Sequence, residues 1–81
     1  MRITLRLSES LLSIYRASEK EFDETIVLDL DGSMSIRQVL QHVGINPILT
    51  PLISIEGQTY GLDHILEDSS VITLIGPLAG G

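Results

Sequence analysis

Cysteine is absent from the chain, and so is tryptophan. Without a thiol there is no disulfide, no thiolate metal site and no cysteine nucleophile. That composition suits a reducing compartment, and a cytoplasmic location is the expectation. Phe22, Tyr15 and Tyr60 are the only Phe, Tyr or Trp residues, so a core has to be built from Ile, Leu and Val. No apolar run approaches the roughly 20 residues that cross a bilayer, and no membrane association is expected. Basic residues are scarce: Lys and Arg number 5 against 11 Asp and Glu, for a formal net charge of −6. Nucleic-acid binding needs a basic surface to neutralise phosphates, so no such partner is expected. Every basic residue lies at or before Arg37. Beyond it stand Glu56, Asp63, Glu67 and Asp68 with no Lys or Arg. An acidic C-terminal half is either plain solvated surface or a field that steers the chain toward a basic partner.

What is present fits one small domain. At 81 residues a chain buries only about 60–65% of the surface its unfolded form exposes, and 43% hydrophobic residues make it globular. Residues 2–7 alternate, with Ile3, Leu5 and Leu7 on one face, which is the period of a strand and not of a signal peptide. Ser8 is placed to cap a short helix, because Leu11, Leu12 and Tyr15 follow at helical spacing. Residues 17–24 read as an acidic loop. Residues 25–30 alternate again, with Ile26, Leu28 and Leu30 inward, and pair with the first strand as a hairpin with a long connection. Asp31-Gly32 is a turn. Ser35 then stands as an N-cap with Gln38 three residues on, a capping box. Ile36, Val39, Leu40 and Val43 continue at helical spacing until Gly44 caps the end and Pro47 blocks resumption. Leu52 to Glu56 form a strand turned by Gly57-Gln58, and Thr59-Tyr60-Gly61 suit a very short one. Leu62, Ile65 and Leu66 anchor an irregular stretch before the last strand, 71–75. There Ile72 and Leu74 face the core, and Val71, Thr73 and Ile75 face the other way.

The order β-β-α-β-(β)-β predicts an α+β domain. A mixed sheet of four to five strands carries one main helix across one face, with the first and last strands parallel at its centre. This is the β-grasp, ubiquitin-like arrangement. The domain is expected over residues 1–75, with a flexible tail at 76–81. Two isolated histidines, His42 and His64, have no matched Cys, Asp or Glu spacing and make no metal site. His42 belongs to a helix C-terminus, and Tyr60 reads as a loop anchor. Glu19, Glu21, Asp23 and Glu24 read as a solvated charge run. Asp63 and Asp68 have nothing cleft-forming around them, and no catalytic site is visible.

The last stretch carries the chemistry. After the strand Val71-Ile72-Thr73-Leu74-Ile75 come Gly76-Pro77, Leu78, Ala79 and then Gly80-Gly81. This pattern, on a β-grasp order, resembles the ThiS/MoaD sulfur carriers, structural relatives of ubiquitin, over essentially the whole chain. The residues from Leu62 to Gly81 carry it: an apolar residue, an acidic turn, a strand, proline, two variable residues and Gly-Gly. Pro77 matches the second of the family's usual prolines. Gly76 replaces the first, and Ser69-Ser70 replaces the usual glycine-acid turn.

The resemblance implies a mechanism and partners. An E1-like activating enzyme consumes ATP to adenylate the carboxylate of Gly81, and a sulfur donor converts it to a thiocarboxylate. A synthase large subunit or a thiazole synthase takes the sulfur for a cofactor precursor. The carrier is then a protein cosubstrate with no bound cofactor and no catalytic residue of its own. Gly80 and Ala79 form the narrow tail, and Ile75, Pro77 and Leu78 the partner-facing surface. The connection over residues 8–24 is longer than in thiazole-forming carriers and looks like that of the small subunit of molybdopterin synthase. The Arg-Glu segment typical of that subunit is not found here, Ser8-Glu9-Ser10-Leu11-Leu12 standing in its place, so the length of the connection alone carries the preference. The molybdopterin pathway is therefore favoured and the thiamine thiazole pathway is next. A ubiquitin-like modifier forming isopeptide bonds through Gly81, or an interaction module with an incidental Gly-Gly, are the competing expectations.

Overall fold

The computed structural model describes residues 1–50 and 52–77. Strand β1 (Arg2–Leu7) buries Ile3, Leu5 and Leu7 on one face and turns Arg2, Thr4 and Arg6 to the other, as its alternation dictates. Helix α1 (Glu9–Ala17) starts at once behind it, capped by Ser8, whose hydroxyl accepts from the Leu11 amide. Its ends carry Glu9 and Arg16, each suited to its end of the helix dipole and paired with each other at 2.9 Å. Leu11, Leu12 and Tyr15 are buried. Tyr15 meets Phe22 edge to face at 4.7 Å, which pins the acidic loop, and its hydroxyl accepts from the Asn46 amide.

Strand β2 (Thr25–Asp29) returns antiparallel to β1, with Ile26 opposite Leu5 and Leu28 opposite Ile3. A two-residue strand β3 (Met34–Ser35) leads into α2 (Ile36–Val43). The expected capping box is formed: Ser35 Oγ accepts from the Gln38 amide at 3.1 Å, and Gln38 Oε1 accepts from the Ser35 amide at 3.0 Å. Gly44 closes the helix with φ 86°. A 3-10 helix (Pro47–Leu49) follows, with Asn46 as its cap. Then come β4 (Leu52–Ile55), β5 (Gln58–Thr59), β6 (Ile65–Leu66) and β7 (Ser70–Ile75).

The main sheet has the order β2-β1-β7-β4-β5, and β3 pairs with β6 in a small second sheet. The central pair β1 and β7 is parallel, while every other pair is antiparallel. The inner face of the sheet (Ile3, Leu5, Leu7, Ile53, Ile72, Leu74) joins Leu11, Leu12 and Tyr15 of α1 and Ile36, Val39 and Leu40 of α2 in one buried cluster. Each fully buried aliphatic side chain contributes about 1.5–3 kcal/mol of transfer free energy. This is the β-grasp fold. Beside the one main helix expected stands a second of similar length, 9 residues against 8. Among the described residues no helix is long and apolar enough to cross a membrane.

Two local expectations shift. The β4–β5 turn is made by Glu56-Gly57, at φ 51° and 81°, not by Gly57-Gln58, so β5 begins at Gln58. Positive φ at both central residues is what a type I′ two-residue hairpin turn requires. Ile65 and Leu66, expected in an irregular stretch, form β6 by pairing with Ser35 and Met34.

Candidate functional site

The central strand β7 delivers the chain to the end of the sheet at Ile75, Gly76 and Pro77. Ile75 lies on the face opposite the helices, half-buried, and its neighbour across β4 is Leu52, 48% exposed. Pro77 is exposed. Ile75 and Leu52 form an apolar pair beside the point where the chain leaves the sheet. Gly81, Gly80, Ala79 and Leu78 lie outside the described residues, as does Pro51.

The rest of that open face is mostly polar. A row of Thr25, Arg6, Thr73, Ser54 and Thr59 crosses all five strands in register. A second row holds Val27, Thr4 and Val71, the two valines about half exposed. Arg2 reaches Asp29 at 3.2 Å. A hollow of about 870 Å³ lies here and is lined by Arg2, Thr4, Asp29, Ser54 and Val71 among others. It excludes Ile75, Gly76 and Pro77. Its walls are the solvated side chains of a sheet face, so it offers no enclosed chemistry.

The root of the exit is held tightly. Gly76 is buried. A Cβ there would sit 2.9 Å from the Leu11 amide nitrogen and 3.0 Å from its Cα. The first turn of α1 therefore presses directly on the backbone at position 76, and only glycine fits without displacement. The Gly76 amide donates to Ser8 Oγ at 3.1 Å, and the Ser8 amide donates to the Leu74 carbonyl at 2.9 Å. Ser8 thus brackets Ile75 from both sides.

The remaining singled-out residues stand apart from this site. His42 is exposed in the last turn of α2. His64 packs against Tyr60 with ring centres 4.3 Å apart and the planes tilted by 40°. Tyr60 is half-buried, and its amide donates to the Ile53 carbonyl at 2.9 Å. Asp63 meets Arg37 at 3.3 Å. Among the described residues no three His, Asp or Glu side chains converge as a metal site. Sequence reasoning missed Leu52 as a surface residue, because it opens an apolar run with Ile53. The outward set Leu52, Ser54 and Glu56 carries the signal, since it alternates with Ile53 and Ile55.

No protein-family model matches the chain, and no curated protein matches it in sequence. Among solved structures the chain is similar to the crystal structure of SAMP1 from Haloferax volcanii, with 18% identity, a TM-score of 0.67 and 100% of each chain covered. The likeness is one of fold, the ubiquitin-like β-grasp.

Proposed function

We propose that the chain is a carrier protein that works through the carboxylate of Gly81. An E1-like enzyme joins that carboxylate to AMP from ATP and releases pyrophosphate. A sulfur donor at the oxidation level of hydrosulfide then attacks the acyl carbon. The C–S bond forms, the C–O bond to AMP breaks, and AMP and a proton leave a thiocarboxylate on Gly81. A free carboxylate is a poor electrophile until its oxygen becomes part of a leaving group, so activation has to come from the partner. The carrier supplies position, not catalysis.

The observation that carries this reading is the exit of β7. The strand at the centre of the sheet runs straight into a fixed root at Gly76 and then Pro77, and Gly80-Gly81 follow in the sequence. In this reading Gly80 and Ala79 enter the partner's channel, where side chains would collide. Ile75, Pro77 and Leu78 touch the partner's mouth, and the position of Leu52 opposite Ile75 supports including it in that surface. The recipient is a synthase large subunit that completes molybdopterin, with a thiazole synthase as the next choice. The helix-bearing connection between β1 and β2 supports that preference. The protein is then a cosubstrate, and ATP is consumed by its activating partner.

The test is to incubate the chain with ATP, hydrosulfide and the activating enzymes of the molybdopterin and thiamine pathways, and to weigh the intact protein. The expected product carries one sulfur in place of one oxygen at Gly81. Isopeptide adducts on lysines in place of that product would make the chain a modifier. Full biological function of a chain lacking residues 80–81 would make it an interaction module.

A further inference from the structure

We infer that Ser8 is a positioning residue whose hydroxyl fixes the direction in which the chain leaves the sheet after β7. The functional half of this inference rests on the carrier reading above.

In a parallel pair, a residue of one strand donates to the carbonyl before its partner and accepts from the amide after it. Leu7 stands opposite Leu74, so Ser8 stands opposite Ile75. The Ser8 amide makes the first of these bonds, to the Leu74 carbonyl. The second would bring the Gly76 amide to the Ser8 carbonyl. That carbonyl is turned to the Leu12 amide at 3.0 Å, in the first turn of α1, and does not accept from Gly76. The ladder would end there with an orphaned amide at a buried residue, which is costly. The Ser8 hydroxyl takes the carbonyl's place and accepts from Gly76 at 3.1 Å. The parallel ladder is carried one rung further by a side chain.

The same oxygen accepts from the Leu11 amide at 3.3 Å and lies 3.0 Å from Ser10 Oγ. A hydroxyl has two lone pairs and one proton. Two amides fill the lone pairs, so the proton goes to Ser10. Every hydrogen-bonding valence of Ser8 Oγ is used, and the hydroxyl has no freedom to rotate away. Leu11 presses on Gly76 from the same side, and the next residue is Pro77, whose ring fixes φ near about −65°. Ile75, Gly76 and Pro77 are thus set in turn by a ladder, a hydrogen bond with a steric wall, and a ring. Proline at 76 would lack the donated proton. The hydroxyl supplies by hydrogen bonding the stiffness that a ring would supply covalently.

A fixed root raises the fraction of molecules whose tail already points as the docked body requires. An unfixed one lowers apparent affinity by the lost fraction. Ser8→Gly removes the hydroxyl while costing the helix cap little, and Ser8→Thr keeps it. Two readouts apply to the full chain: exchange of the Gly76 amide, and Cα–Hα residual dipolar couplings of Gly76 and Pro77. In Ser8→Gly the Gly76 amide is expected to exchange about fivefold faster, the ratio one net hydrogen bond is worth. The couplings of both residues shift, while those of β1 and β4 stay. Ser8→Thr keeps the original pattern. Unchanged couplings in Ser8→Gly overturn the inference whatever the enzyme assay gives.

In adenylation by the activating enzyme, Ser8→Gly raises KM about fivefold and leaves kcat unchanged, and Ser8→Thr restores KM. A purely structural role would lower the melting temperature without this split. Altered couplings with an unchanged KM overturn the functional half. A wild-type chain that no activating enzyme adenylates refutes the carrier reading, and the couplings still decide whether Ser8 sets the root.

Discussion

Gly76 donates its amide proton to the hydroxyl of Ser8 at 3.1 Å across 68 residues of sequence, and this contact joins the root of the chain's last segment to the first turn of α1. The parallel pairing of β1 with β7 brings the two together. The chain therefore leaves the sheet from its central strand, at a residue held by a hydrogen bond.

Space, and not a left-handed backbone, requires the glycine at 76. Gly76→Ala places a methyl 2.9 Å from a backbone nitrogen, and backbone atoms of a helix turn do not yield as the tip of a side chain does. Overpacking of this kind costs about 1–3 kcal/mol. Urea unfolding should show a lower midpoint with an unchanged slope. An unaltered midpoint would mean that α1 does not press on the root.

Leu52 tests the apolar surface beside the exit. It is 48% exposed, so Leu52→Ser is expected to change stability by no more than about 0.5–1 kcal/mol while raising KM for adenylation severalfold. Ile48 is 84% exposed but sits in the 3-10 helix. Ile48→Ser is the control and should leave KM alone. Equal effects of the two substitutions would remove the Leu52–Ile75 pair from the docking surface.

The core depends on the strand pair that carries the exit. Leu5 is fully buried between Ile26 of β2 and Ile72 of β7. Leu5→Ala leaves a cavity under three adjacent strands, and about 2–5 kcal/mol should be lost. In a domain this small that is a large part of all the stability there is. Chemical denaturation of the variant measures it.

Asp63 should matter little by comparison. Its ion pair with Arg37 has side chains 91% and 45% exposed, and such pairs contribute about 0–1 kcal/mol. The loop it sits in is held by backbone bonds instead: the Ile36 amide donates to the His64 carbonyl at 3.0 Å and the Arg37 amide to the Leu62 carbonyl at 2.9 Å. Asp63→Ala should therefore unfold within about 1 kcal/mol of the parent. A larger loss would show that the ion pair orders the loop.

The elements legible in the sequence are those whose cause is local. Ser35 and Gln38 announce the start of α2 and Gly44 its end, because a capping box and a left-handed cap involve residues a few positions apart. The inward faces of β1, β2 and β7 follow from alternation alone. What was not legible depends on distant partners. Met34–Ser35 and Ile65–Leu66 are too short to carry a period, and only their mutual pairing makes them strands. Glu56 takes a positive φ that favours Gly or Asn, so the turn could not be placed to the residue. Ser8 reads as a helix cap and is one. Its second role appears only when the β1–β7 register puts it opposite Ile75.

The most direct test of the central claim is the intact mass of the chain after incubation with ATP, hydrosulfide and its activating enzyme, set against a chain lacking Gly81. The account predicts that one oxygen is replaced by one sulfur in the full chain alone. The same mass change in the truncated chain, or none in either while the activating enzyme modifies its own carrier, would contradict it.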